Sequence, residues 1–251
     1  MTSAPLFSTI SATPTRLADS VADEIAKYLL DGSIAPGAPL PSEGRIATEF
    51  GVSKPIAREA LRNLSAAGLI ETHPGKLARA KALDGEPLNR FYSYAVRSSL
   101  KRLREANEMR LVIESGVARL AALRRIPEGV EMMHAAVQDM RASLREPQSF
   151  TDADVAFHLG MAVATGNEML KMQMEGLRAI QREVSGLFSA RANRTKADWL
   201  ATVERHKKIC DSISAGGEEL SEQAIVEHYN AADIASLEVA DRLSPLDRAD
   251  G

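Results

Sequence analysis

Asp154 and His158 stand four residues apart in TDADVAFHLGMAVATGN, residues 151–167, a segment that otherwise reads as an apolar helix. At that spacing the two side chains project from adjacent turns of one helix face. His206 falls on the stripe Val203, His206, Cys210, Ile213, and His228 on the stripe Ala224, His228, Ala231, Ala235. A single histidine on such a stripe reads as a hydrogen-bonded core residue. Three of them with an inward carboxylate pose a different problem, because each buried polar group requires a partner. Shared ligation of one divalent cation satisfies all four. Three imidazoles and a carboxylate suit zinc first, with nickel, manganese and iron as alternatives. The other two of the five histidines stay outside this set: His73 lies near a Pro-Gly turn and His134 on a mixed face.

Arg110 is a second inward oddity, on the stripe Leu103, Ala106, Arg110, Ile113, Val117, Leu120. A buried guanidinium needs an anion. That anion is either Glu114, one turn on, or a small carboxylate held jointly by Arg110 and the metal. Asn167 either adds a hydrogen bond to the same ligand or caps the helix it begins. Cys210 lies one turn from His206 and reads as a small buried hydrophobe, with ligation the alternative.

The elements that must position these residues are helices. The chain has 251 residues, 45% hydrophobic and 26% charged, with aromatics at 4% and abundant Ala, Leu, Met, Arg and Glu. No apolar run is long enough to span a membrane. The N-terminus lacks the basic start and apolar core of a secretory signal. One cysteine allows no internal disulfide, so a cytoplasmic protein is expected. Residues 1–83 carry nine Lys/Arg against eight Asp/Glu, and the remainder 22 against 26. Any nucleic-acid contact must therefore come from a local cluster and not from global charge.

Such a cluster exists in the first third. After an arm over 1–13 that reads as disordered, TRLADSVADEIAKYLLDG predicts a helix, with Thr15 as its cap and Gly32 as its stop. Ser42 caps a second helix that ends at Gly51. Ser53 caps a third, with Pro55 tolerated in its first turn. Two short helices across so tight a turn make a helix-turn-helix candidate. LIETHPGKLARAKA follows as a small hairpin whose far side carries Lys76, Arg79 and Lys81. Three helices and a basic hairpin are the order of a winged helix-turn-helix. Ser53, Lys54 and Arg58 open the third helix, where a recognition helix meets the major groove.

The stretch LPSEGRIATEFGVSKPIAREALRNLSAAGLIETHPGK resembles the DNA-binding domain of the GntR family of bacterial transcription regulators. The resemblance implies operator contacts from Lys54 and Arg58, assisted by Arg45, Ser53, the Gly75 wing tip and Lys76. Two departures stand out. Gly44 occupies a position that is usually Arg, with Arg45 beside it, and Lys54 replaces a commoner Arg, losing a bidentate fork. DVAFHLGMAVATGN, ERHKKICDSISAG and AIVEHYN resemble the ligand-binding domain of the FadR-type branch, an all-helical FCD fold. Metal-binding members of that branch use an Asp-x-x-x-His pair and two later histidines. The matching positions here are Asp154, His158, His206 and His228.

The expected fold is mainly α: a winged helix-turn-helix over 14–83, a linker or coupling segment over 84–100 with Phe91, Tyr92 and Tyr94, and an all-helical bundle over 101–245. The expected function is a transcription regulator and not an enzyme. As a homodimer it would bind a near-palindromic double-stranded operator and respond to a small organic acid at the metal. The alternatives are a purely structural metal with another effector, and a metal-dependent hydrolase.

Overall fold

A computed structural model describes residues 14–97, 99–189, 191 and 194–231; the arm over 1–13 and the segment beyond 231 lie outside the described residues. The chain divides into two compact units, with the boundary between Pro87 and Leu88.

The first unit is built on helices α1 (Pro14–Leu30), α2 (Glu43–Phe50) and α3 (Lys54–Ala66). Helix α1 starts at Pro14, so Thr15 is its second residue and not the cap expected from sequence. Ser42 caps α2 by accepting the Arg45 N–H, and Gly51 ends it in the left-handed region at φ 65°. A side chain would be strained there, and glycine lets the chain reverse within the short link before α3. Ser53 occupies the cap position of α3 without making a side-chain cap bond. The inward faces bury Val21, Ile25, Leu40, Ile46, Phe50, Leu61, Leu64 and Ile70 in one core. Each large apolar side chain so buried contributes roughly 1.5–3 kcal/mol. The expected wing is present: β1 (Ile70–Glu71) pairs antiparallel with β2 (Arg79–Ala80), Ile70 opposite Ala80.

The second unit is all-helical among its described residues. Its helices are α4 (Glu86–Val96), α5 (Leu100–Arg124), α6 (Pro127–Ala142), α7 (Pro147–Ala164), α8 (Glu168–Gly176), α9 (Arg178–Ser189), α10 (Lys196–Ser214) and α11 (Glu218–Ala231). Helix α7 is buried around much of its circumference, packing on α5, α6, α8 and α9. It meets α6 where two glycines face: a Cβ added to Gly129 would lie 2.0 Å from the Ala164 nitrogen and 2.6 Å from the Gly160 oxygen. The backbones approach that closely only because side chains are missing there.

Three sequence expectations change. The segment after Asp84 is helical from Glu86, where a linker was expected. The Asp84 carboxylate accepts the Glu86 N–H, and Pro87 fits a first turn. The helix that Asn167 begins does not run on through the stretch that follows: it is two helices, α8 and α9, broken around Gly176 and the fully buried Leu177. The buried face of α5 runs through Leu103, Asn107, Arg110, Glu114 and Val117, whereas Ile113 and Leu120 are half-exposed. The inward stripe is thus rotated toward polar residues, and the site described next requires them.

Candidate functional site

Helix α7 presents Asp154 and His158, α10 presents His206 and α11 presents His228, with the imidazoles converging. The ring centroids of His206 and His228 are 4.5 Å apart, those of His158 and His228 5.4 Å, and those of His158 and His206 5.6 Å. One nitrogen from each histidine lies within 4.8 Å of the others. The Asp154 Oδ1 atom is 2.7 Å from His206 Nε2 and 3.8 Å from His158 Nε2.

The second nitrogens define the protonation. His158 Nδ1 is bonded to the Glu114 carboxylate, and His206 Nδ1 lies 2.9 Å from the Thr202 carbonyl oxygen. Both partners accept, so each ring carries a proton on Nδ1 and turns its Nε2 inward. His158 Nε2 and His228 Nδ1 are buried without a hydrogen-bond partner, and the buried His206 Nε2 has only the Asp154 carboxylate beside it. At His206 the inward Nε2 lies 2.7 Å from the Asp154 carboxylate oxygen, a contact satisfied by a proton on Nε2 or by a cation bound between the two. Three inward imidazole nitrogens converging beside one buried carboxylate are costly as a dry core and fit a divalent cation.

Burial opposes the Asp154 charge, yet the surrounding His206, His158 and His228 hold its carboxyl well below the usual range. Burial, reinforced by His206 and His158, pushes the His228 imidazole well below its ordinary value, which keeps it neutral and able to ligate. Glu114 is fully buried; against that burial, Arg110 and His158 hold its carboxyl at about 2. Arg110 donates from Nε to Glu114 Oε1 at 3.0 Å, so the ion pair expected within α5 is present. The same arginine also lines an adjoining cavity of about 360 Å³, together with Asn107, Asp154, His158, His228 and Tyr229.

Asn167 is not brought to this cavity. Its side chain accepts the Met169 and Leu170 N–H groups and caps α8, which was the alternative reading. Cys210 is buried, its Sγ 3.5 Å from His134 Nδ1, and burial raises its thiol to about 11. Sequence reasoning weighed Glu114 only as a partner for Arg110 and missed its contact with His158. The i, i+4 spacing from Arg110 was the one available signal. Asn107 on α5, Arg194 just before α10, and Thr202 and Arg205 on α10 also line the cavity and carried no signal of their own.

In the first unit, Arg45, Ser53, Lys54, Arg58, Gly75 and Lys76 are all exposed. Arg45 donates to Glu49 at 2.7 Å. Arg58 holds Glu43 through two nitrogens, Nε to Oε1 at 3.0 Å and Nη2 to Oε2 at 2.8 Å. Gly75, at φ 73°, forms the wing tip. The methylene stem of Lys54 lies above Gly44, its Cε 3.6 Å from where a Gly44 Cβ would stand. That stem covers the space left by the missing side chain at position 44.

Residues 17–78 match the bacterial regulatory proteins of the gntR family, and residues 105–231, half of the chain, match the FCD domain. The chain belongs to the GntR family of transcription regulators. Among this regulator's relatives is the HTH-type transcriptional regulator LutR of Bacillus subtilis (strain 168), 30% identical over 215 residues, or 82% of this chain and 95% of that protein. The galactonate operon transcriptional repressor of Escherichia coli (strain K12) is 26% identical over 82% of this chain and 90% of its own. A solved structure, Streptococcus agalactiae GntR, superposes with a TM-score of 0.67 at 22% identity, covering 87% of this chain and 99% of that one, and shares the fold. The regulator thus carries a DNA-binding GntR domain and an effector-binding FCD domain. Its families and relatives are regulators and not enzymes, which removes the hydrolase alternative. Among the described residues, no helix is long and apolar enough to cross a membrane.

Proposed function

We propose that Asp154, His158, His206 and His228 hold a divalent metal ion, zinc first among the candidates, and that a small carboxylate effector at this site controls operator affinity. The convergence of three inward imidazole nitrogens beside the buried Asp154 carboxylate, two of them without a hydrogen-bond partner, carries this reading. When bound, the ion offers a carboxylate oxygen a Lewis-acidic position. Arg110 stands in the same cavity with its charge balanced by Glu114 and a long contact from Nη1 to Asn107 Oδ1, and its Nη2 is the group to orient the acid. This cavity places a ligand beside α5, α7 and α11.

The regulator acts as a cytoplasmic homodimer and, like the galactonate relative, as a repressor. Two-fold symmetry sets two winged domains on the half-sites of a near-palindromic operator. Ser53, Lys54 and Arg58 read the major groove from the start of α3, and Arg45, Gly75 and Lys76 hold the backbone. The coupling segment of 84–100, which contains α4, joins the two units in the chain and passes on the effector's influence. By linkage, an effector that weakens operator binding is itself bound less tightly on DNA, by the same factor.

Thermal melting of the purified regulator with zinc, with chelator, and with a panel of small acids under each condition tests this. Stabilisation by an acid that disappears on chelation is the expected result. Stabilisation by zinc without a response to any acid assigns the metal a structural role, and indifference to both contradicts the site.

A further inference from the structure

Beyond the metal cluster the cavity is rich in cations. Arg110, Arg191, Arg194 and Arg205 line it, against the carboxylates of Asp154 and Asp198. Arg110 is neutralised by Glu114, and Asp154 is surrounded by imidazoles. The Asp198 carboxylate is occupied in capping α10, accepting from the Thr195 N–H and hydroxyl at 2.7 Å each.

Arg194 and Arg205 converge on one neutral group. Arg194 Nη2 lies 2.8 Å from Thr202 Oγ1, and Arg205 Nη2 lies 3.0 Å from the same oxygen. Among the described residues, neither guanidinium has a carboxylate at ion-pair distance. Both are half-buried, and Arg205 Nε is a buried donor without a partner. Arg194 is fixed in place by aromatic faces, its Cζ 3.9 Å from the Trp199 ring centroid and 5.3 Å from that of Phe150. Arg194 Nη1 also reaches the Ser189 hydroxyl at 3.4 Å, but two guanidiniums drawn together out of water repel each other, and neutral hydroxyls do not balance their charge. Planar forks held side by side in a cavity match an oxyanion.

We propose that Arg194, Arg205 and Thr202 form a second anion subsite, and that the effector is a small dianion. One carboxylate goes to the metal and Arg110, and a second carboxylate or a phosphate goes to the arginine pair. This rests on the reading that the cavity takes an acid effector. A single acetate-sized group would fill little of about 360 Å³ and leave the pair uncompensated.

Isothermal titration of the zinc-loaded full-length protein tests the subsite, at constant ionic strength. Succinate is compared with butyrate, glutarate with pentanoate, and phosphoglycolate with glycolate. The dianions should bind at least roughly tenfold more tightly than their matched monoanions. The pair showing the larger preference tells whether the second group is a carboxylate or a phosphate. Arg205→Gln should reduce that preference to near unity while zinc content, melting midpoint and monoanion affinity stay unchanged. Arg205→Lys should restore part of it. Equal binding of the two classes by the native protein, or an undiminished preference in Arg205→Gln, overturns the subsite and leaves the metal-and-carboxylate reading standing. Failure of every acid to bind zinc-loaded protein overturns that reading and the subsite with it.

Discussion

The Glu114 carboxylate, fully buried on α5, is bonded to Nδ1 of His158 on α7 and also accepts Nε of Arg110 at 3.0 Å. One acid therefore orients an imidazole of the proposed metal site and neutralises the arginine beside it. Glu114→Gln keeps the shape and removes the charge. Partners of this kind contribute about 10–100-fold to metal affinity, so zinc binding should weaken by that factor in a competition titration with a chromophoric chelator. Undiminished affinity would show that the carboxylate does not support the ligand. The variant's metal-free form should also melt earlier, because Arg110 loses its counter-charge in the interior.

Cys210 provides a check on which groups are ligands. Its thiol is raised to about 11 by burial from an ordinary value of 9.0, so thiolate at pH 8 is scarcer by about a hundredfold than for an exposed cysteine. Iodoacetamide should label the folded regulator slowly at that pH and rapidly in denaturant. The folded-state rate should rise as pH climbs toward 11, because deprotonation makes the nucleophile. Zinc removal should leave it unchanged, and fast labelling on chelation would make Cys210 a ligand.

The crossing of α6 and α7 carries the platform for Asp154 and His158. Gly129→Ala places a methyl 2.0 Å from the Ala164 nitrogen, and backbone cannot rotate aside as a side chain can. Overpacking of this kind costs about 1–3 kcal/mol or more. Calorimetry should show a lower melting temperature, whereas Gly186→Ala, where a Cβ meets nothing within 4 Å, should leave it nearly unchanged. Equal effects would mean that the close approach is not a constraint.

Arg58 is exposed and grips Glu43 in the free regulator. Arg58→Ala should weaken binding to an operator selected in vitro by roughly five- to 150-fold. Melting should not change, since an exposed pair contributes little to stability. Fluorescence anisotropy at fixed salt measures the first and circular dichroism the second. Unaltered operator affinity would remove Arg58 from the interface.

Much of this molecule was legible before its coordinates. Helices α2 and α3 announce themselves through Ser42, Gly51 and Pro55, and the wing through His73-Pro74-Gly75, because caps and turns depend on one or two residues. His158 and His206 were legible because each sits on an apolar stripe, where its cost is visible in the sequence; of the stripe read for His228, Ala224 is buried, Ala231 is exposed and Ala235 lies outside the described residues. Helix α4 was hidden, since DGEPLNR has loop composition and its helix starts at a proline-containing turn. The break between α8 and α9 was hidden because Leu177 is buried through tertiary packing that no local pattern reports. Arg194, Arg205 and Thr202 were hidden for a related reason: their meeting depends on how α10 and the segment before it fold together. Asn167 was read both ways, and its geometry is that of a helix cap.

The central claim is that α7, α10 and α11 together hold one metal ion. Elemental analysis of natively purified protein addresses it most directly, comparing the native chain with His228→Ala and His206→Ala. One divalent metal per chain in the native protein, lost in both variants while they still bind operator DNA, is the expected result. A native protein without metal under zinc-replete conditions, or a variant retaining it stoichiometrically, would contradict the account.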